Sequence, residues 1–238
     1  MIANSAGSKV FEGDGFQYYH IKGFIWPNLI FDTPFHKEKA LDTLNRIHEK
    51  MNCDAMPNLL ICSPPDMPIS GLNFLKKHYK KHGYWTAMYM GLDKAIEELC
   101  IPNFVINQAS QKPAIEEWCE LLAYNSKGKE IDQQLFCNMA KHKDCRFYTA
   151  YIENKPVATC WAYHYKNSLG LYAITTHPDF CGRGIASEIT RHAMRIAKKE
   201  QLDAVFLQAT TAAISLYHKI GFAQAGQLEV FDLQEKFE

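Results

Sequence analysis

From residue 104 onward the apolar positions of this chain change period in a regular order. Phe104 to Ala109 is a short apolar run of strand type. Ile115, Trp118, Cys119, Leu121 and Leu122 then recur at helical spacing between residues 115 and 124, and residues 131 to 140 repeat that pattern. Arg146 to Ile152, Val157 to Tyr165 and Leu169 to Thr176 read as extended segments. They are punctuated by Glu153-Asn-Lys-Pro156 and Lys166-Asn-Ser168, the sequence form of a meander. Helical spacing returns at Ile185, Ile189, Ala193, Ile196 and Ala197, and a second buried strand, Ala204 to Ala209, precedes a last helix starting at Ala213. The predicted order, β-α-α-β-β-β-α-β-α-β, describes an α/β fold in which a mixed sheet carries helices on both faces.

The first hundred residues alternate more simply. Leu29 to Thr33 reads as a strand, His36 to Met51 as a helix, Asn58 to Cys62 as a strand, Leu72 to His82 as a helix and Trp85 to Met90 as a strand. This β-α-β-α-β order copies that of Leu171 to Leu233. His78-Tyr-Lys-Lys-His-Gly-Tyr84 echoes Leu216-Tyr-His-Lys-Ile-Gly-Phe222, setting Tyr79 on Tyr217 and Gly83 on Gly221. The same residues also fit a plain helix C-cap, in which Gly follows a basic last turn and no shared ancestry is implied. An N-terminal α/β subdomain over residues 1–103 and a second domain over 104–238 are expected.

Candidate chemistry concentrates in His177-Pro-Asp-Phe-Cys-Gly-Arg-Gly-Ile-Ala-Ser187, between an expected strand and an amphipathic helix. Glycines at 182 and 184 let successive N–H groups point at an anion, helped by the helix dipole, so a pyrophosphate fits there. A tight βα turn without any ligand needs the same glycines, which leaves the two readings level on this motif alone. About thirty residues on, Ala213-Ile-Ser-Leu-Tyr-His-Lys-Ile-Gly-Phe222 shifts the balance. Together the two segments resemble the GNAT acetyltransferase superfamily. Its Q/R-x-x-G-x-G/A motif is matched by Gly184-Ile-Ala186, and its A-x-x-L-Y-x-x-x-G-F motif by Ala213, Leu216, Tyr217, Gly221 and Phe222. The resemblance covers roughly residues 104–233. Cys181 departs from the usual Gln or Arg, which removes a side chain that braces the loop in that family, and Thr210 stands where Asn is often found.

The resemblance implies a GNAT acyl-CoA N-acyltransferase fold with an additional N-terminal α/β subdomain; if the internal repeat holds, that subdomain is a degenerate GNAT-like half. The loop Thr33-Pro-Phe-His-Lys-Glu38 has no glycine, so one acetyl-CoA per chain is expected, in the second half. By the same resemblance, the backbone of Ile174, Thr175 and Thr176 pairs with the pantetheine amides. Gly182, Arg183, Gly184, Ile185, Ala186 and Ser187 hold the pyrophosphate, and Thr210 is a further cofactor contact. Tyr217 would protonate the leaving thiolate, since a phenol with a pKa of about 10 stays protonated at neutral pH. No Asp or Glu lies between Lys155 and Asp179 to serve as base. His164 is the candidate there by its imidazole pKa, His177 a weaker one that packs at the strand exit, and a water relay a further route.

Composition changes this picture little. The 238 residues balance 26 basic against 26 acidic side chains, which disfavours nucleic-acid binding by broad electrostatics. The 8 cysteines form no C-x-x-C pair and the 10 histidines no matched Cys/His set, so free thiols of a reducing, cytoplasmic setting and no metal are expected. No apolar run approaches membrane-spanning length. The expected function is an acetyl-CoA-dependent N-acetyltransferase acting on a small-molecule or peptide amine. A non-catalytic acyl-CoA sensor and an aminoacyl-tRNA-dependent transferase are the alternatives, the latter disfavoured by the balanced charge.

Overall fold

A computed structural model describes residues 9–13, 16–20, 29–31, 40–53, 60–63, 67–93, 95–125 and 131–233. The chain divides into two compact units, residues 1–86 with 226–238, and residues 87–225. Relative to the expected division after residue 103, residues 87–103 fall in the second unit and the final residues in the first.

The first unit begins with strands β1 (Lys9–Gly13) and β2 (Phe16–His20), which pair antiparallel as a hairpin. The apolar pattern did not predict either. Strand β3 (Leu29–Phe31) follows β2 antiparallel and runs parallel to β4 (Leu60–Ser63), with helix α1 (Ala40–Asn52) between them. Leu44, Ile47 and Met51 of α1 pack in one cluster with Ile61, Leu75 and Phe231. Helix α2 (Ile69–His78) ends four residues before the expected His82, because Tyr79 is extended (φ −128°, ψ 147°) and opens strand β5 (Tyr79–Gly91). Gly83 therefore lies inside a strand and caps no helix. The local echo between Tyr79 and Tyr217 is not structural: Tyr79 opens a strand, whereas Tyr217 sits inside a helix that ends on Gly221. The loop Thr33–Glu38 and the expected starts at His36 and Asn58 lie outside the described residues.

The second unit follows the predicted order. Strand β6 (Phe104–Ala109), helices α3 (Lys112–Asn125) and α4 (Gln133–Met139), and strands β7 (Cys145–Ile152), β8 (Lys155–Tyr165) and β9 (Ser168–Thr176) come first. Helix α5 (Ile185–Lys199), strand β10 (Ala204–Thr210), helix α6 (Ile214–Ile220) and strand β11 (Ala223–Leu233) follow, the residues of β11 from Gly226 on belonging to the first unit. β6 to β9 pair antiparallel in sequence order and β10 runs parallel to β9. The β7–β8 turn is tighter than expected: Glu153 and Asn154 both have positive φ (50° and 64°), the requirement of a two-residue type I′ hairpin, and Pro156 already belongs to β8.

Helix α5 buries Ile185, Ile189, Ala193, Met194 and Ala197 against Leu169, Leu171, Val205 and Leu207 of β9 and β10. The other sheet face is covered by α3 and α4, where the Trp118 ring meets Phe147 at 5.0 Å and Phe136 at 5.2 Å. The last residues of β11 run antiparallel to β4 in the first unit, with Val230 opposite Cys62. In the second unit, β5 lies beside β10, and its Tyr89 ring stacks on Phe206 at 6.3 Å.

Candidate active site

The sheet of the second unit opens at one place. Parallel pairing of β9 with β10 runs from Ser168 opposite Ala204 to Leu171 opposite Leu207 and stops there. On its other edge β9 continues to pair with β8, through Thr159 opposite Thr175 and Ala158 opposite Thr176. Beyond Leu171 the two strands diverge, and an extended amide chain can add as a strand in the gap between them.

A β-bulge sets this geometry. The β8–β9 register shifts between Thr159 and Trp161, and Ala173 adopts φ 49°, a left-handed conformation that costs an alanine about 1 kcal/mol. The Thr159 hydroxyl donates to the Ala173 carbonyl at 2.8 Å and holds the bulge. Upstream, the Tyr172 side chain folds back over Gly170, where an added Cβ would lie 2.7 Å from the Tyr172 hydroxyl, and its ring meets Trp161 at 4.8 Å.

Beyond Thr176 the chain makes a 3-10 turn over Pro178–Phe180, capped by the His177 ring, whose Nδ1 accepts the Asp179 N–H at 3.3 Å. That ring also stacks on Tyr124 at 4.7 Å, which gives His177 the anchoring role expected of it at the strand exit. Gly182 (φ 78°) and Gly184 (φ 79°, ψ 0°) are both left-handed, and no side chain caps α5. Open space lies above Gly182 and the first-turn N–H groups of α5 are left for a ligand. The glycines are needed for backbone conformation as well as for access. Arg183 turns back to the Asp179 carbonyl at 3.1 Å and lies over the Phe180 ring, while Cys181 is exposed with its thiol against the carbonyls of Thr176 and His177. The loop thus fits a pyrophosphate through its backbone.

Tyr217 lies in α6, buried, with its ring against Phe222 at 5.7 Å. Burial pushes its phenol above the ordinary tyrosine range, and the nearby Cys160 adds to the shift. Cys160 occupies the position where β8 and β9 lose register, and Tyr217 belongs to the same buried cluster as Cys160. His164 lies away from that point: it is paired with Leu169 at the far end of β9, about 16 Å of strand from Ile174 at roughly 3.3 Å per residue. Thr210 is the exposed last residue of β10, at the mouth of the same gap. Neither β9 nor β10 carries an acid or a histidine. A cleft of about 410 Å³ beside the 3-10 turn is lined by Glu117, Glu120, Leu121, Lys155, Pro156, His177, Asp179 and Phe180.

Two participants escaped the sequence reading. Thr159 has no local signal, because its role depends on a register shift between strands. Glu188 did have one: it stands on the apolar stripe of α5 between Ile185 and Ile189, is buried, and pairs with Arg195 at 2.5 Å.

The Acetyltransferase (GNAT) family profile matches residues 105–222. The second half of this chain belongs to the GNAT acetyltransferase family. Solved structures share the fold at low identity. A GCN5-related N-acetyltransferase from Kribbella flavida aligns with a TM-score of 0.73 at 11% identity, over 98% of this chain and 91% of its own. A functionally unknown conserved protein from Staphylococcus epidermidis ATCC 12228 aligns with a TM-score of 0.73 at 15% identity, over 97% and 95%. A GCN5-related N-acetyltransferase from Sphaerobacter thermophilus aligns with a TM-score of 0.65 at 13% identity, over 89% and 74%. No match is found among curated protein sequences. In the GNAT domain, among the described residues, no helix is long and apolar enough to cross a membrane and no three ligating side chains cluster as a metal site.

Proposed function

We propose that the GNAT domain is an acetyl-CoA-dependent N-acetyltransferase that acylates the primary amine of a small molecule or peptide by direct attack. The observation that carries this reading is the left-handed glycine turn at the uncapped start of α5, which follows a strand, β9, whose pairing with β10 has ended at Leu171. The buried Tyr217 phenol supplies a proton donor.

Acetyl-CoA would supply the activated acyl group. The N–H groups of residues 182–187 would hold its pyrophosphate, with the α5 dipole favouring the negative charge. Ile174 to Thr176 would pair with its pantetheine amides and fix the depth of the thioester in the gap, with Thr210 at the mouth. Positioning of this kind carries much of the rate in a direct transfer. Tyr217 would then donate its hydroxyl proton to the departing sulfur. Its raised pKa keeps that proton in place until charge develops. The strands lining the gap offer no base, so the amine proton would leave through water, and the neighbouring cleft, where the carboxylates of Glu117, Glu120 and Asp179 outnumber the single lysine Lys155, would favour a cationic amine. The free thiols of Cys119, Cys160 and Cys181 fit a reducing, cytoplasmic setting.

A screen of amines, polyamines, amino acids and peptide N-termini for thiol release from acetyl-CoA tests this, with calorimetry of coenzyme A alongside. Release with at least one acceptor class is expected. The absence of both release and binding would overturn the reading. Binding without release from any acceptor would favour an acyl-CoA sensor, which the absence of a base from β9 and β10 and the exposed Cys181 support.

A further inference from the structure

We propose that Glu188 is a positioning residue for the cofactor loop, acting through Leu99 on the left-handed turn at Gly184. This rests on the reading of that loop as the pyrophosphate site.

A carboxylate that is only 2% exposed on the apolar stripe of a helix is costly to bury unless both oxygens are satisfied. Both are. Oε1 pairs with Arg195 Nη2 at 2.5 Å, and Oε2 accepts the backbone N–H of Leu99 at 2.7 Å. Arg195 also reaches the same segment, giving Nη1 to the Glu97 carbonyl at 3.1 Å and approaching Glu98 at 3.9 Å. Residues 95–101 have no helix or strand of their own, so these ties decide where the segment lies. At its near end the Leu99 Cδ1 sits 3.5 Å from where a Cβ on Gly184 would be. Leu99 therefore backs the turn from which the first N–H groups of α5 project. Glu188 is itself anchored to the turn, since its N–H donates to the Gly184 carbonyl at 2.9 Å. One side chain thus joins the turn, the segment behind it and the cation that neutralises it.

Glu188→Gln keeps the shape but turns an NH2 group toward one of two donors, Leu99 N–H or Arg195, so one tie must break. Leu99→Ala leaves the ion pair and removes only the backing at Gly184. Arg146→Gln is the control, because it breaks an ion pair of 2.7 Å to Glu200 at the opposite end of the same helix. The experiment is calorimetric titration of the full chain and these variants with coenzyme A, with melting temperature and amide exchange at residues 182–187 measured alongside. Both Glu188→Gln and Leu99→Ala should weaken coenzyme A by about tenfold and speed exchange in the loop. Arg146→Gln should leave affinity unchanged whatever its melting temperature. Wild-type affinity and exchange in both test variants would overturn the inference alone, as would an equal loss of affinity in Arg146→Gln. A wild-type protein that binds no coenzyme A would overturn it together with the cofactor reading.

Discussion

Thr159 donates its hydroxyl to the carbonyl of Ala173 at 2.8 Å across the point where β8 and β9 lose register. This bond ties a left-handed alanine, φ 49°, to a buried partner that no other part of the strand replaces. Thr159→Val should cost about 1 kcal/mol in urea denaturation, because a partly buried carbonyl loses its donor. Ala173→Gly should be neutral or slightly stabilising, since glycine relieves the left-handed penalty while losing entropy on folding. Ala173→Val should destabilise by more than 1 kcal/mol, as a β-branched residue tolerates that φ poorly. Equal stabilities for the three variants would remove the bulge from the account of the gap.

The cradle is best tested where glycine geometry is not disturbed. Any side chain at Gly184 would strain a backbone at φ 79°, so Ser187 in the first turn of α5 is the better site. Ser187→Asp places an acid at a helix N-terminus, which should hold or raise the melting temperature. The same charge should repel a pyrophosphate and lower coenzyme A affinity about tenfold or more. Opposite signs for stability and affinity are the expected signature, read by thermal melts and calorimetry.

Tyr217→Phe removes a hydroxyl and keeps the ring contact with Phe222. Coenzyme A affinity should change little, while single-turnover acetyl transfer to an identified acceptor should fall about a hundredfold, the lower range for loss of a general acid. Unchanged transfer would leave Tyr217 as a packing residue.

His192 gives the protein an acid-side sensitivity. Burial holds its imidazole below the ordinary histidine value, and the Arg195 charge adds to that shift, against the opposing pull of Glu188 and Glu98. Its ring also packs edge-on to Tyr148 at 5.3 Å. The unfolded chain protonates this residue near pH 6.5 and the folded chain only lower, so between those values the unfolded state binds more protons. The stability His192 contributes is thus present above about pH 6.5 and lost as pH falls toward its folded value. His192→Gln should show a smaller drop in stability than wild type between pH 7 and pH 5. Denaturant titration at each pH measures the difference. A difference of opposite sign would show that the folded state favours the imidazolium.

What the sequence determined by itself was local. Period-2 and period-3.6 patterns carry the face each element buries, so the order from β6 to β11 was legible, as were Gly182 and Gly184, whose left-handed φ only glycine adopts cheaply, and Tyr217 in its motif. Alternation reports a face and never a position along a strand, which is why His164 looked available for catalysis although its register opposite Leu169 places it at the wrong end of β9. The end of α2 at His78, the pairing of β11 with β4, the bulge at Ala173 and the tie from Glu188 to Leu99 were decided by tertiary structure alone. Each depends on contacts between residues far apart in the chain: Leu99 and Glu188 are 89 residues apart. Their free energy arises only once the whole sheet and the helix across it have been assembled, so no window of neighbouring residues contains it.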